Sequence, residues 1–258
     1  PMTLRRCLRQ AVSATATVLA TTLAFTAPAQ AAARVCIFDF LGTSGDAFNL
    51  ARDFAVAMQR EGVEIELKGY NDEGQALNAY IAGQCDGLLA TGFRTRQFNA
   101  VAASTDSLGA TTIVRNGNVD IAGTYEVLRK LIHTFASPSA QVAKLMVQGE
   151  HEVVGIAPAG VAYPFVVDRR INSVEALAGK RIVALAYDPA QAAMIQRIKG
   201  IPVPATISDF HLKFNSGQVD MLAAPTMAYL PLELNKGLGN KGAITRFPLL
   251  VVTYQMVI

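Results

Sequence analysis

An eight-residue pattern occurs twice in this chain, and it constrains the fold more than any other feature. Residues 83–90 read GQCDGLLA and residues 217–224 read GQVDMLAA, so the two copies begin 134 residues apart. In each copy a helix-compatible run leads into a glycine, which adopts the left-handed conformation of a helix end at little cost. A short apolar run follows, as expected for a buried strand. These two joints predict two α/β lobes with a ligand cleft between them, although glycine and aspartate also punctuate many other α/β proteins.

The first residues of the chain predict export. Three arginines lie within the first ten residues, an apolar stretch follows over residues 11–25, and residues 29–31 (AQA) supply a small-x-small pattern. This order is typical of a secretory signal peptide, which we place at residues 1–31. A membrane anchor is the alternative, but the apolar run is short for a span and rich in Thr and Ser. We therefore expect a periplasmic protein.

The charge of the predicted mature chain argues against nucleic acid as a partner. The whole chain has 23 basic and 20 acidic residues, and three of the basic residues belong to the signal peptide. The mature part is therefore close to neutral, and it has no cluster of Lys and Arg to neutralise a phosphate backbone. Its length and its apolar content of 51% fit a folded globular protein.

The order of the predicted elements favours two successive α/β series. The first series is predicted as strand 34–40, helix 46–61, strand 63–69, helix 73–82, strand 86–91 and helix 95–103. A strand at 110–114, helices at 121–135 and 138–147, and an extended stretch at 152–168 should follow. The second series is predicted as helix 173–178, strand 181–186, helix 189–199, strand 203–205, helix 208–216, strand 219–224 and helix 226–235. Right-handed crossovers would give mainly parallel sheets flanked by helices.

These elements set the expected boundaries. We place lobe I at residues 32–157, lobe II at 158–244, and a return strand toward lobe I at 245–258. Two crossings between the lobes would allow a hinge. Because no cap, turn or polar tail follows the last strand, we also expect the chain to be truncated at its C-terminus.

Two cysteines remain once the signal peptide, which contains Cys7, is removed. Cys36 and Cys85 each lie near the start of a predicted strand, and neighbouring parallel strands would bring those ends together. An exported protein meets an oxidising compartment, so we predict a Cys36–Cys85 disulfide, with two buried free thiols as the alternative. Two distant cysteines without a nearby histidine pair do not indicate a metal site.

Candidate ligand contacts come from the loops that follow the predicted strands. The loop at residues 41–46 precedes a helix, so its backbone N–H groups could bind an anion, and Thr43 and Ser44 could add hydroxyl groups. It lacks the Gly-Lys-Ser/Thr ending of a Walker loop, which argues against a nucleotide site. Asp188 and Pro225 follow strands of the second series. Further candidates are Phe93, Tyr163, Tyr187 and Thr226, although the aromatic side chains could equally belong to the core.

A family resemblance rests on residues 168–182 (DRRINSVEALAGKRI). With the order of elements and the SGQVD run at 216–220, this segment resembles the solute-binding proteins of TRAP-type transporters. Residues 91–99 (TGFRTRQFN) are similar to those of an uncharacterised branch of solute-binding proteins. The resemblance implies a two-lobed periplasmic-binding-protein-like (type II) fold that binds a small polar or anionic organic solute, for example a carboxylate. It also implies membrane transporter subunits as partners, and neither a cofactor nor a metal.

One position departs from the family pattern. The arginine that typically grips the ligand carboxylate falls, by this resemblance, where the chain has Val183. Arg181 lies on the same face of the same predicted strand but nearer its other end. Arg94 and Arg96 follow a strand of the first series, where a guanidinium could hold a carboxylate with two hydrogen bonds. All three are candidate ligand contacts, with a solvated surface charge as the alternative for Arg94 and Arg96.

The sequence gives little support for catalysis. None of the three histidines lies in a metal-binding or nucleophile motif, and Ser44 is not part of a Gly-x-Ser-x-Gly elbow. We therefore expect a binding protein rather than an enzyme. The alternatives are a periplasmic adaptor protein with a vestigial cleft and, less favoured, an enzyme on the same scaffold.

Overall fold

The computed structural model describes residues 31–258 except 108, 110 and 138. Residues 32–258 form one compact unit. Residues 1–30, and with them Cys7 and nearly all of the predicted signal peptide, lie outside the described residues. No helix in the described part of the chain is both long enough and apolar enough to cross a lipid bilayer.

The α-helices follow the predicted series with some changes in length. Asp72, Asp120, Ser139 and Asp188 accept hydrogen bonds from the first-turn backbone N–H groups of four of them, and so act as N-caps. The helices are α1 (Asp46–Arg60), α2 (Glu73–Ile81), α3 (Gly92–Thr95), α4 (Ala100–Ala103), α5 (Ile121–Phe135), α6 (Ala140–Met146), α7 (Pro189–Arg197), α8 (Phe210–Asn215) and α9 (Asn235–Leu238).

Nearly all strands of the described residues belong to one sheet, while β4 and β5 pair separately as a small hairpin. They are β1 (Ala33–Phe38), β2 (Ile65–Tyr70), β3 (Gly87–Thr91), β4 (Val114–Arg115), β5 (Asn118–Val119), β6 (Val147–Gln148), β7 (His151–Val166), β8 (Arg181–Leu185), β9 (Ile201–Ala205), β10 (Met221–Pro225), β11 (Ala243–Ile244) and β12 (Leu250–Val257).

The large sheet consists of two parallel parts joined by an antiparallel pair. Its order is β2-β1-β3-β12-β7-β10-β8-β9, with β11 and β6 pairing to β7. Strands β2, β1 and β3 are mutually parallel and form the first part, and β10, β8 and β9 form the second. The 16-residue β7 pairs with β12 through its first two thirds and with β10 at its end. The predicted crossing and return segments are thus β7 and β12, which lie side by side at the centre of the sheet.

Both copies of the repeated pattern have the same structure. Gly83 and Gly217 have φ values of 70° and 72°, which confirms the predicted left-handed helix ends. Asp86 accepts hydrogen bonds from the backbone N–H of Arg34 at 2.8 Å and from its Nη2 at 2.7 Å. Asp220 accepts the same two bonds from Arg181, also at 2.8 and 2.7 Å. Each aspartate therefore links the start of its own strand to the start of the parallel strand beside it in the sheet.

The predicted disulfide is present. Cys36 in β1 and Cys85 just before β3 are bonded, with their Cα atoms 5.7 Å apart. Both residues are buried. The parallel register of β1 and β3 places Cys36 opposite Leu88, three residues after Cys85, so the two strand starts meet as expected.

Some predicted elements were wrong in extent. The helix predicted at 226–235 is a 3-10 turn followed by the short α9, because Pro231 lacks a backbone donor and Glu233 has a positive φ of 52°. The helix predicted at 173–178 is also only a 3-10 turn, before Gly179. The helix predicted at 95–103 is interrupted at Asn99, whose side chain caps α4.

The prediction near residue 110 was also wrong in part. In place of a strand at 110–114, the described residues form the β4–β5 hairpin, which turns at Asn116 and Gly117. Both turn residues have positive φ, as a tight two-residue hairpin requires. Residues 110 and 138, the first residues of the predicted strand and of a predicted helix, lie outside the described residues.

Candidate functional site

A cavity of about 390 Å³ lies between the two parallel parts of the sheet. Part of its lining comes from the carboxyl ends of strands and the segments that follow them, which is where open α/β sheets bind ligands. Most of the lining is apolar. The first part contributes Phe38, Phe40, Thr91, Phe93, Arg96, Asp106 and Ser107, and the central strands contribute Ala159, Ala162, Leu250, Val252 and Tyr254. The second part contributes Ile182, Val183, Leu185, Asp188, Gln191, Met194, Ile207, Phe210, Ala223, Pro225 and Met227, among others.

An irregularity in the central strands shapes one wall of the cavity. The pairing of β7 with β12 shifts register between Val252 and Thr253, which leaves Ala159 without a partner on β12. A bulge of this kind bends its strand and turns a side chain. Ala159 and Val252 both line the cavity.

One ion pair crosses the cavity. Arg96 Nη1 lies 3.3 Å from Asp188 Oδ2, and the Arg96 guanidinium also lies within hydrogen-bond distance of the Ala103 carbonyl and the Ser107 hydroxyl. Asp188 also caps α7 by accepting hydrogen bonds from the backbone N–H groups of Ala190 and Gln191. The guanidinium of Arg96 therefore already has a carboxylate partner on the opposite wall.

A second cross-cleft contact lies beside the cavity. The guanidinium carbon of Arg94 lies 3.5 Å from the centroid of the Tyr187 ring, which is a cation–π arrangement. The Tyr187 hydroxyl donates a 3.2 Å hydrogen bond to Glu73 Oε2. Arg94 Nε lies 3.3 Å from the same oxygen, but it has no hydrogen-bond partner among the described residues. Arg94 therefore interacts with Glu73 by charge rather than by a well-formed hydrogen bond.

Glu73 is a buried carboxylate at the start of α2. Its Oε1 accepts hydrogen bonds from the Thr91 backbone N–H at 2.8 Å and from the Thr91 hydroxyl at 2.6 Å. Burial raises the pKa of Glu73, while the Thr91 hydrogen bonds and the charge of Arg94 oppose that shift. Burial also raises the pKa of the Tyr187 hydroxyl, so Tyr187 is a neutral donor to this carboxylate.

Asp106 is a second buried carboxylate, and it lines the cavity itself. It accepts hydrogen bonds from the Thr253 backbone N–H at 2.8 Å, the Thr253 hydroxyl at 2.6 Å and the Thr105 hydroxyl at 2.9 Å. Burial raises the pKa of Asp106 to about 7, although these hydrogen bonds and the charge of Arg96 act in the opposite direction. A Cβ on Gly92 would lie 2.4 Å from Asp106 Cγ, so the carboxylate occupies the space that this glycine leaves.

The predicted anion site at residues 41–46 holds a carboxylate of the protein itself. Asp39 Oδ2 accepts hydrogen bonds from the backbone N–H of Ala47 at 2.9 Å and of Phe48 at 3.3 Å. The side chain of Asp39 thereby neutralises the N-terminus of α1. Thr43 and Ser44 are exposed, and neither belongs to the lining of the cavity in the described structure.

The other predicted ligand contacts lie either at or beside the cavity or away from it. Phe93 and Arg96 line the cavity, and Arg94 and Tyr187 form the contact beside it. The lining formed by the described residues does not include Arg181, Tyr163 or Thr226. Arg181 pairs with Asp220 at the start of β8, the Tyr163 hydroxyl lies 2.9 Å from that of Tyr125, and Thr226 begins a 3-10 turn.

Glu73, Asp106 and Tyr254 were not identified from the sequence. Glu73 occupies the first turn of a helix, where an acidic residue is ordinarily solvent-exposed. Asp106 and Tyr254 reach the cavity through a 3-10 turn and through the last strand, and neither lies in a motif. Because their contacts join residues far apart in the chain, no local pattern could have indicated them.

Comparison with known proteins identifies the family. Residues 54–258 match the sequence model described as "Solute-binding protein AdeT 1/2". This chain belongs to that family. It is 40% identical over 222 residues to the probable solute-binding protein AdeT1 of Acinetobacter baumannii, an alignment that covers 86% of this chain and 69% of the relative. It is also 30% identical over 121 residues to AdeT2 of the same organism, covering 47% of this chain and 50% of that protein.

Solved structures of TRAP periplasmic solute-binding proteins share the fold. One from Ralstonia eutropha, with bound (S)-2-acetolactate, has a TM-score of 0.66 at 14% identity and covers 88% of this chain and 69% of its own. One from Roseobacter denitrificans, with bound 3-deoxy-D-manno-oct-2-ulosonic acid, has a TM-score of 0.65 at 15% identity, covering 88% and 72%. The ectoine-binding protein of a Halomonas elongata TRAP transporter has a TM-score of 0.64 at 14% identity, covering 87% and 68%.

These comparisons confirm the predicted family resemblance and the type II periplasmic binding fold. The matched family and the AdeT relatives are solute-binding proteins, so this chain is a solute-binding protein rather than an enzyme, and it shares the fold of the TRAP periplasmic solute-binding proteins.

Proposed function

We propose that the protein works in the periplasm, where it captures a small organic solute in the cavity between the two parallel parts of the sheet. It then delivers this solute to a membrane transporter. The cavity itself carries this proposal, because both parts of the sheet contribute to its walls and its volume of about 390 Å³ suits a small molecule. Family membership supports a solute as the ligand. The buried Cys36–Cys85 disulfide supports an oxidising compartment, and so does the signal peptide expected at residues 1–31.

Closure of two lobes would enclose the solute. We assign lobe I to residues 32–157, lobe II to 158–244 and the return strand to 245–258, so that β7 and β12 are the connections that bend. Opening would separate Arg96 from Asp188 and Arg94 from Tyr187, because each pair spans the two lobes. Those contacts favour the closed form, and a solute that fills the cavity adds to them.

The walls of the cavity would offer the solute different kinds of contact. Phe93 supplies an apolar surface and Arg96 a hydrogen-bond donor, while Arg94 and Tyr187 close the side of the cavity. We do not assign ligand contacts to Thr43, Ser44, Tyr163, Arg181 or Thr226, since the described structure gives them other surroundings.

Native mass spectrometry on protein purified from the periplasm tests the proposal. We expect a co-purified small molecule that is released unchanged. Ala223 lines the cavity, so Ala223→Phe should lose this molecule by filling the space, whereas Ala57→Phe on the exposed surface of α1 should retain it.

Two results would contradict the proposal. Equal retention by both variants would place the molecule outside the cavity, and release of a chemically altered molecule would indicate an enzyme. Capture of a protein partner that is unaffected by Ala223→Phe, with no small molecule present, would instead favour an adaptor with a vestigial cleft.

A further inference from the structure

The charged groups that line the cavity are not balanced. Among the described lining residues they are one guanidinium, on Arg96, and two carboxyl groups, on Asp106 and Asp188. The rest of the lining is mostly apolar. Because charged groups interact strongly in surroundings of low polarity, this small set decides which charge a solute can bring.

The guanidinium of Arg96 already has hydrogen-bond and ion-pair partners within the protein. Arg96 pairs with Asp188 at 3.3 Å, and its other nitrogens face the Ser107 hydroxyl at 3.4 Å and the Ala103 carbonyl at 3.5 Å. A solute carboxylate could reach Arg96 only by displacing Asp188 or by sharing its guanidinium. Displacement would leave Asp188, which is only 8% exposed, without its cationic partner. Leaving a buried charge without its partner lowers the stability of the protein.

The second arginine does not relieve this shortage. Arg94 is outside the cavity lining in the described structure, and its charge is directed to the Tyr187 ring and to Glu73. Glu73 is 1% exposed, so removing Arg94 from it would also leave a buried carboxyl group without a nearby cation.

Asp106, by contrast, can accept a further hydrogen bond. A carboxylate has about four acceptor positions, and Asp106 receives three hydrogen bonds, from Thr253 N–H, the Thr253 hydroxyl and the Thr105 hydroxyl. No cationic side chain lies within ion-pair distance of Asp106 among the described residues. An N–H donor with a positive charge would complete its contacts and balance the charge of the cavity.

We infer that the solute of this cavity is a largely apolar molecule bearing an amine, whose ammonium group lies against Asp106, rather than a carboxylate held by Arg96. This inference rests on the proposed function, because it names the chemical class of solute for the same cavity. It replaces the anionic solute expected from the sequence, since the structure places all three candidate arginines (Arg94, Arg96 and Arg181) against carboxylates of the protein.

A matched set of probes tests the inference on the purified mature protein. The probes are 4-phenylbutylamine, 4-phenylbutan-1-ol and 5-phenylpentanoate, which share a phenylbutyl body and differ only in the polar group. Isothermal titration at about pH 8 keeps Asp106 mostly ionised, because its pKa is about 7. We expect the amine to bind at least about tenfold more tightly than the carboxylate, with the alcohol between them.

Substitutions test whether Asp106 causes the preference for the amine. Asp106→Asn should weaken binding of the amine about tenfold and leave the alcohol nearly unchanged, whereas Asp53→Asn on the exposed surface of α1 should change neither. If Asp106→Asn does not fold, the preference of the wild-type protein among the three probes still decides the question.

The outcomes separate this inference from the proposed function. Tighter binding of the carboxylate than of the amine would overturn the amine assignment and leave the solute cavity standing. Binding of none of the probes, even at millimolar concentration, would overturn the assignment of a largely apolar amine, while the native mass spectrometry described above would still decide whether the cavity holds a solute.

Discussion

The pH dependence of stability should report directly on the buried Asp106. Its pKa is about 7 in the folded protein, against an ordinary value of 3.8, because burial disfavours the carboxylate. Between these two values the unfolded chain has lost the proton while the folded protein keeps it. The stability associated with this proton is therefore fully present below about pH 4 and is lost as the pH rises through about 7. From about pH 5 to about pH 8, the loss amounts to about 2 to 3 kcal/mol.

Asp106→Asn should remove this dependence. An asparagine can accept the hydrogen bond from the Thr253 backbone N–H and can donate to the neighbouring hydroxyl groups, so the variant should fold. Urea unfolding of both proteins across that pH range measures the effect, and the difference between the two curves isolates Asp106 from groups such as Glu73 and His211. We expect the wild-type free energy of unfolding to fall relative to that of the variant as the pH rises. Parallel curves would refute the assignment of a raised pKa to Asp106.

Two further substitutions test the disulfide and the packing beside the cavity. The bond between Cys36 and Cys85 spans 49 residues, so replacing both by Ala should lower the free energy of unfolding by about 4 kcal/mol; a loss below about 1 kcal/mol would contradict its contribution. Gly92→Ala would place a Cβ 2.4 Å from Asp106 Cγ and should cost about 2 kcal/mol or more in urea unfolding, whereas the control Gly155→Ala meets its nearest atom at 3.5 Å; equal effects would rule out the overlap.

The repeated joints show how much of this fold a local pattern can predict. The left-handed conformations of Gly83 and Gly217 follow from the intrinsic freedom of glycine, and the adjacent apolar runs follow from strand burial. The disulfide was predictable for a related reason, since parallel pairing brings strand starts together. The hydrogen bonds from each joint aspartate to an arginine of the neighbouring parallel strand were not predicted, because two helices and a strand separate the two residues in the chain.

The arginines show why the candidate site could be predicted only in part. Arg94 and Arg96 lie directly after β3, a position that depends on chain order alone. Their partners depend on tertiary structure: Asp188 meets Arg96 across 92 residues, and Tyr187 reaches Glu73 across 114. An arginine at a strand end therefore predicts a charged cleft, but not whether its charge is available to a ligand.

The polar groups of this cleft serve mainly to hold the protein together. Asp39 neutralises the start of α1, Glu73 fixes the end of β3, and Asp106 fixes the backbone of β12 through Thr253. These three carboxyl groups thus occupy N–H groups that, in an anion-binding cleft, would be free to bind the ligand. Because these carboxyl groups occupy the available donors, an anionic solute would meet competition at each of them, while a cationic solute would not. The same contacts that stabilise the fold therefore set the charge that the cavity can accept.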